Sequence, residues 1–313
     1  MANASSKTRT PGSTVITPVA TLREQIMRLE AAIVVCRVRP KKEPVHTLRK
    51  ATRYVEAQLA LLELVPHLPE HAKQANKVRK RLKSVRKAAG TVRDFDVQRS
   101  LVKDDTPNKP TAKTDSSDDR MHRDAKALAK ELKLQRNQET AKLTAVLSAE
   151  EKRLAKRLTK LEDALEPAVE HTVPADRLAA SIEHWFHAHT PPPPANVGNG
   201  RRTGRKHDMQ LPDEDSLHTL RRASKLCRYM AESLPADLPA AKRLAERFEA
   251  IQESGGKWHD WLLLQEIAAK HHGNGAALTD RYAQHRDAAL ASFQTQLADL
   301  LSPEQTRTAK AQR

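Results

Sequence analysis

The sequence predicts an all-α protein built as two antiparallel helical bundles related by an internal duplication. Three observations carry this. The tetrapeptide His-Thr-Leu-Arg occurs at His46–Arg49 and again at His218–Arg221, each time near the head of a basic amphipathic run. Downstream of each copy, a second periodic run leads to a glycine and, four residues later, an aspartate: Gly90 with Asp94, and Gly256 with Asp260. No stretch reads as a convincing strand, whereas apolar residues recur at helical spacing throughout. The same order met twice is the mark of a repeat.

The elements follow in order. Residues 1–17 read as a disordered arm. A first helix spans about 21–37, with Leu22, Ile26, Leu29 and Ile33 on one face. The first His helix follows Pro44 and stops near the Pro66–Pro69 turn. A third carries Arg79, Lys83, Arg86 and Lys87 beside Val78, Leu82 and Val85. Gly90 is read as its end and Asp94 as the start of a short helix to Val102, ordinary capping chemistry. Residues 103–120 have the composition of a flexible linker. Two or three charged helices are expected over 121–169 and another over 175–189. The Pro-rich and then basic stretch 190–213 is a second linker. Beyond it come the second His helix (214–234), its partner (237–254), a helix over 258–270 and a last one over 278–301. As domains, 18–189 forms the first half, 214–303 the second, and 304–313 a tail. One bundle per repeat is the simplest packing.

Each His helix separates two faces. At about 100° per residue, with the His at zero, Arg49 and Arg221 fall near −60°, Lys50 and Arg222 near +40°, and Arg53 and Lys225 near −20°. Val45, Leu48, Val55, Leu59 and Leu62 fill another arc, matched in the second copy by Leu217, Leu220, Cys227, Ala231 and Leu234. Exposed helix faces usually mix charges at i,i+4. His46, Arg49, Lys50 and Arg53 gather one sign instead, as do His218, Arg221, Arg222, Lys225 and Arg228. A solvated face is the plain alternative for any single charge run; the duplication favours an anion site. Each His is either a donor to an oxyanion or a neutral ring bonded to a carbonyl at the helix start. Arginine grips phosphate with a fork and lysine as a point charge.

Composition narrows the partner. The 313 residues hold 55 Lys+Arg against 39 Asp+Glu, a net +16, which favours a polyanion. Aromatics are 3%, a poor supply of stacking platforms for single strands. Nine glycines leave little for a phosphate-cradling loop. Cys36 and Cys227 lack metal spacing and read as reduced core residues. Met1–Thr17 lacks the apolar core of a secretory signal, and no apolar stretch nears the roughly 20 residues of a membrane span. A cytoplasmic protein without membrane contact is expected.

Other motifs are weaker. Asp94, Asp96 and Asp260 read as helix caps or as partners of a neighbouring arginine before they read as metal ligands. His259-Asp260 matches the dipeptide of metal-dependent HD phosphohydrolases, but the repeat aligns His259 with Arg93, so a ligand pair is not kept. His184, His187 and His189 lie close on one helix and lack a nearby acidic or Cys partner; surface histidines are the simpler reading. No catalytic residue and no metal or cofactor site is expected.

Taken together, His46-x-x-Arg49…Arg53 with Gly90-x-x-Arg93-Asp94, and His218-x-x-Arg221…Lys225-x-x-Arg228-Tyr229-x-x-Glu232, resemble the CHAD domain over about residues 18–303. The resemblance implies two four-helix halves about a pseudo-twofold, enclosing a basic cavity that binds inorganic polyphosphate without catalysis. It also implies association with polyphosphate granules and their proteins. On this reading His46, Arg49, Arg53, Arg93, His218, Arg221, Lys225 and Arg228 face the cavity. Lys83 and Arg86 join them because they share a face of the helix before Gly90. The chain departs from the family at Tyr54, where a second Arg is usual, and at Glu56, which occupies the place of Arg228. No Glu-x-Glu-x-Lys string of the CYTH triphosphatase type is present. The rival readings are a nucleic-acid-binding helical protein, for which convergent stripes are the wrong shape, and the HD-type phosphohydrolase.

Overall fold

The computed structural model describes residues 14–106, 116–190 and 213–300. Eight helices stand among them: α1 (Pro18–Val38), α2 (Lys42–Leu62), α3 (Ala72–Asp105), α4 (Ser116–Leu165), α5 (Ala175–His189), α6 (Glu214–Ala231), α7 (Pro239–His272) and α8 (Ala277–Leu300). A 3-10 turn, Glu166–Ala168, follows α4. The helices divide into two groups by what they bury. One core joins Leu22, Leu29, Val45, Leu48, Val78 and Leu82 of α1–α3 to Leu143, Leu147, Leu154 and Leu161 of α4. The other joins Leu178, Ile182 and Phe186 of α5 to Leu217, Cys227, Phe248 and Phe293 of α6–α8. The far side of α2 enters this second core through Ala57, Ala60 and Leu61, so α2 meets α6 along the seam between the groups. A third, smaller core takes Val102 from α3, Leu128 and Leu132 from α4, Leu264 from α7 and Tyr282 from α8.

In chain order α1–α4 come first and α5–α8 second, and α3 and α7 are both 34 residues long. Several expected boundaries are corrected. Gly90 ends nothing: α3 runs through it, and Asp94 lies inside the helix, not at a cap. Likewise α7 runs unbroken through Gly255 and Gly256, with Asp260 in its interior. An interior glycine costs only about 1 kcal/mol against alanine, and both long helices bury an apolar stripe on each side of the glycine. Gly255 has a further reason to be there. A Cβ at that position would lie 2.8 Å from Cζ of Phe293, a ring buried between α7 and α8.

The charged stretch after residue 116 is one 50-residue helix, not two or three. Its buried apolar positions, Ala125, Leu128 and Leu132 and then Leu143 through Leu165, stay in helical phase across a polar gap in which Arg136 pairs with Asp96. The expected 103–120 linker shrinks, because α3 continues to Asp105 and α4 begins at Ser116; 107–115 lie outside the described residues. So do 1–13, 191–212 and 301–313, which hold most of the expected arm, the Pro-rich linker and the tail. Val15–Ile16 of that arm pairs antiparallel with Val173–Pro174, two short strands where none was expected. α5 packs with α6 and α7, so the second group begins before residue 189. Both cysteines are free and buried.

Candidate functional site

The seam between α2 and α6, flanked by the midpoints of α3 and α7, gathers the charges. α2 turns Val45, Leu48 and Val55 into the first core, which leaves Arg49 and Arg53 half-buried on the flank facing α6. α6 does the same with Leu217, Leu220 and Cys227, and Arg221 and Lys225 end up half-buried opposite. Mid-helix, α3 supplies Arg93 and Asp94, and α7 supplies His259 and Asp260. Because both helices run on through their glycines, these pairs are held by helical backbone and not by loops.

Burial and mutual charge act together on these groups. Burial and the charges of Arg221, Arg49 and Arg53 push the Lys225 ammonium from its ordinary 10.5 down to about 7. Burial, then Arg221, His218, Lys225 and Arg49, push His259 down to about 4. Arg221 and Arg53 are lowered by burial, with Asp260 and Glu56 respectively pulling the other way. Burial raises the Asp260 carboxyl, and Arg221 opposes it; Asp94, Arg49 and Arg93 also act on it. His46 is lowered by burial and then by Arg93. Residues 49, 53, 93, 221, 225 and 259 thus form one electrostatic cluster drawn from four helices and both halves.

The cluster is only partly neutralised. Arg49 reaches Asp94 at 3.4 Å. Arg53 is held by Glu56 at 3.2 Å, and Arg86 bonds the other oxygen of the same carboxylate. Arg228 is more fully paired, with Glu232 at 2.6 Å and Glu249 at 2.7 Å. Lys225 has no ion-pair partner among the described residues. Three buried nitrogens of the seam, Nε of Arg53, Nε of Arg221 and Nδ1 of His259, have no hydrogen-bond partner among the described residues. Buried polar groups are seldom left this way unless something else completes them.

The expected residues therefore fall into groups. Arg49, Arg53, Arg93, Arg221 and Lys225 converge. His46 joins through Arg93, and His218 through His259, its ring 5.5 Å from that of His259 and 4.9 Å from Trp258. His218 also lies 3.6 Å from Glu214. Arg86 and Arg228 sit at the edge, tied to glutamates. Lys50, Lys83 and Arg222 are exposed; Lys50 acts on His46, and Arg222 bonds Thr219 at 3.4 Å.

Asp94 proves to be an arginine partner. Asp96 is one too, but for Arg136 of α4 at 3.0 Å, away from the seam. His259 and Asp260 belong to the site, although sequence reasoning left both out of it. The signal was available in the matched Gly-x-x-x-Asp spacing, which sets His259 where Arg93 stands. Each of these two lies near the histidine of its own half. Among the described residues no three His, Cys, Asp or Glu are placed to share a metal ion. His184, His187 and His189 are exposed, and His189 stacks on Trp185 at 4.1 Å. No helix among the described residues is long and apolar enough to cross a membrane.

The fold is shared with known structures. The fold is similar to PptA from Streptomyces chartreusis, with a TM-score of 0.63 and 17% identity over 90% of this chain and 97% of that one. It is also similar to the CHAD domain from the plant Ricinus communis, with a TM-score of 0.56 and 18% identity over 91% of this chain and 90% of that one. No curated protein matches in sequence. The CHAD domain model matches residues 20–269, which takes in both His helices and both glycine-to-aspartate segments, and the chain belongs to the CHAD domain family.

Proposed function

We propose that the seam binds inorganic polyphosphate and does not hydrolyse it. The observation that carries this is the cationic cluster itself: Lys225 held near Arg49, Arg53 and Arg221, with buried N–H groups on Arg53 and Arg221 left unpartnered. Like charges this close repel, and an oxyanion entering between them removes the repulsion and fills the vacant donors at once. Membership of the CHAD domain family supports polyphosphate over other oxyanions. A second feature supports a chain of bare phosphates over nucleic acid. The aromatic rings nearest the seam are committed elsewhere: Trp258 and Tyr229 are buried, and Tyr54 packs edge-on against Tyr229 at 4.8 Å. None offers a face on which a base can stack.

Catalysis has little to work with. His259 is surrounded by Arg221, Lys225 and His218, a setting that repels a divalent cation. A retaining role near polyphosphate granules, alone or with other granule proteins, follows from this reading. The test is a competition titration at physiological salt, in which polyphosphate should hold its place against duplex DNA at equal phosphate concentration. Displacement by DNA overturns the reading. A parallel incubation with magnesium or manganese should release no orthophosphate beyond background. Sustained turnover that His259→Ala abolishes would establish the phosphohydrolase instead.

A further inference from the structure

The seam uses one flank of α3; the opposite flank is basic as well. Ala72 to Arg93 contains nine Lys or Arg and no Asp or Glu. Set Lys77 at zero on α3, at about 100° per residue. Val78, Leu82, Val85 and Ala89 then point to about 80–140°, into the core. Arg79, Arg86 and Arg93 stand near 160–200°, on the flank toward α2 and the seam, where Arg79 meets Glu63 and Arg86 meets Glu56. Lys73 and Lys77 stand near −40° and 0°, on the flank toward α4. There, between the start of α3 and the end of α4, lies a cavity of about 170 Å³ lined by Lys73, Lys77, Arg157, Lys160 and Gln74.

This groove holds four cations and no carboxylate. Its neighbours one to two turns away are ordinary: Arg81 pairs with Glu150 at 3.2 Å across the same two helices. Lys73, Lys77, Arg157 and Lys160 make no ion pair among the described residues. The exposed arc of α3 that joins the two flanks carries Lys80, Lys83 and Lys87 with Asn76 and Ser84, again without an acid.

Given the proposed role of the seam, we infer that the α3–α4 groove is a second phosphate-binding site, holding the outer part of a long polyphosphate chain that crosses the lysine arc of α3 from the seam. The ligand class follows from what the groove is made of. Three of its four cations are lysines, compact charges that suit a flexible anion without fixed register. The groove is lined by no aromatic ring on which a base could stack, and its lining offers only cations and one amide to an anion.

The test compares two variants of the full chain. One is the groove variant Lys73→Gln/Lys77→Gln/Lys160→Gln. The other is the seam variant Arg49→Ala/Arg221→Ala/Lys225→Ala. Each is titrated with tripolyphosphate and with polyphosphate of more than a hundred units, and folding is checked by circular dichroism. Glutamine keeps helix propensity close to that of lysine, so the groove variant should fold. The groove variant should keep the tripolyphosphate site of the seam, losing at most a weaker second one, yet bind the long polymer at least tenfold more weakly. Its salt slope should fall by about 2 units, at roughly 0.7 per phosphate neutralised. Replacing the same three lysines by arginine should restore long-chain binding. Unchanged long-chain affinity overturns the groove and leaves the seam standing. A long-chain loss in the groove variant alone, with the seam variant unaffected, overturns the seam and not the groove. If the groove variant loses duplex DNA but not polyphosphate, the groove is a nucleic-acid site and the inference is wrong.

Discussion

Tyr54 of α2 donates its hydroxyl proton to Oε2 of Glu232 at the end of α6, at 2.6 Å, while the other oxygen of that carboxylate accepts from Nε of Arg228 at 2.6 Å. One carboxylate thus fastens the first half to the second and restrains an arginine at the edge of the site. The tyrosine ties α2 to α6 at the rim of a seam otherwise lined by cations. Tyr54→Phe should lower unfolding free energy by about 1 kcal/mol, toward the low end for hydrogen bonds to charged groups because both side chains are partly exposed. The measurement is urea unfolding with an unchanged m-value. No loss of stability would show that the tie contributes nothing.

Binding should depend on pH through Lys225. Its free-state pKa of about 7 lies below the ordinary 10.5, and a neighbouring phosphate must raise it. Between the free and bound values the complex holds more protons, so affinity should fall as pH rises from 7 toward 9. Calorimetry in buffers of different ionisation enthalpy should show proton uptake near pH 8, lost in Lys225→Met. For the unliganded fold the sign is the reverse of a favourable pair. The unfolded chain binds the extra proton between about 7 and 10.5, so stability should rise with pH across that window.

The two halves should contribute unequally. Residues 42–94 hold 13 Lys+Arg and 5 Asp+Glu, net +8, whereas residues 214–260 hold 8 and 8, net 0. Pairing adds to the contrast, since Arg228 is held by two glutamates and Arg49 by one aspartate at 3.4 Å. Arg49→Ala/Arg53→Ala/Lys83→Ala should therefore weaken polyphosphate binding more than Arg221→Ala/Lys225→Ala/Arg228→Ala. Each contact is worth roughly 1.5–3 kcal/mol before solvent screening. Equal losses, with both variants folded, would mean that charge count does not rank the halves. Glu56→Gln offers a complementary gain. It frees Arg53 and Arg86 together, so affinity should rise severalfold.

The glycines of the two long helices make a matched pair of stability tests. A Cβ at Gly90 would meet nothing within 4 Å, and helix interiors favour alanine, so Gly90→Ala should stabilise by about 0.5–1 kcal/mol. Gly255→Ala should destabilise by about 1–3 kcal/mol, because the new methyl must displace the buried Phe293 ring. Thermal unfolding of the two variants, read side by side, decides the signs.

Periodicity made the helices legible, and the repeated His-x-x-Arg string pointed to most of the seam. Capping rules read Gly90 and Gly256 as breaks, because they weigh a glycine without knowing that α3 and α7 have core on both sides of it. Asp94 and Asp260 were then placed at helix starts, and His259 was set aside as an isolated dipeptide. The packing of α5 was not legible either: an amphipathic face states that something covers it but not which neighbour does. Tyr54 and Glu232 are 178 residues apart, and no spacing rule joins them. The unpaired cations of the α3–α4 groove were visible only as excess charge until the cavity gave them a common address.

The length of α4 has a kinetic consequence. Fifty residues at 1.5 Å each make a rod of about 75 Å. Leu128 and Leu132 near one end belong to a core shared with α7 and α8, and Leu154 to Leu165 at the other end belong to the core of α1–α3. A strut seated in both halves prevents them from swinging apart like jaws. The seam is therefore preorganised, and an arriving anion meets cations already in place instead of waiting for a closure. Association should then be fast and steered by the net positive field, with little dependence on chain composition. Differences between ligands, and between variants of this protein, will be expressed in how long the polymer stays.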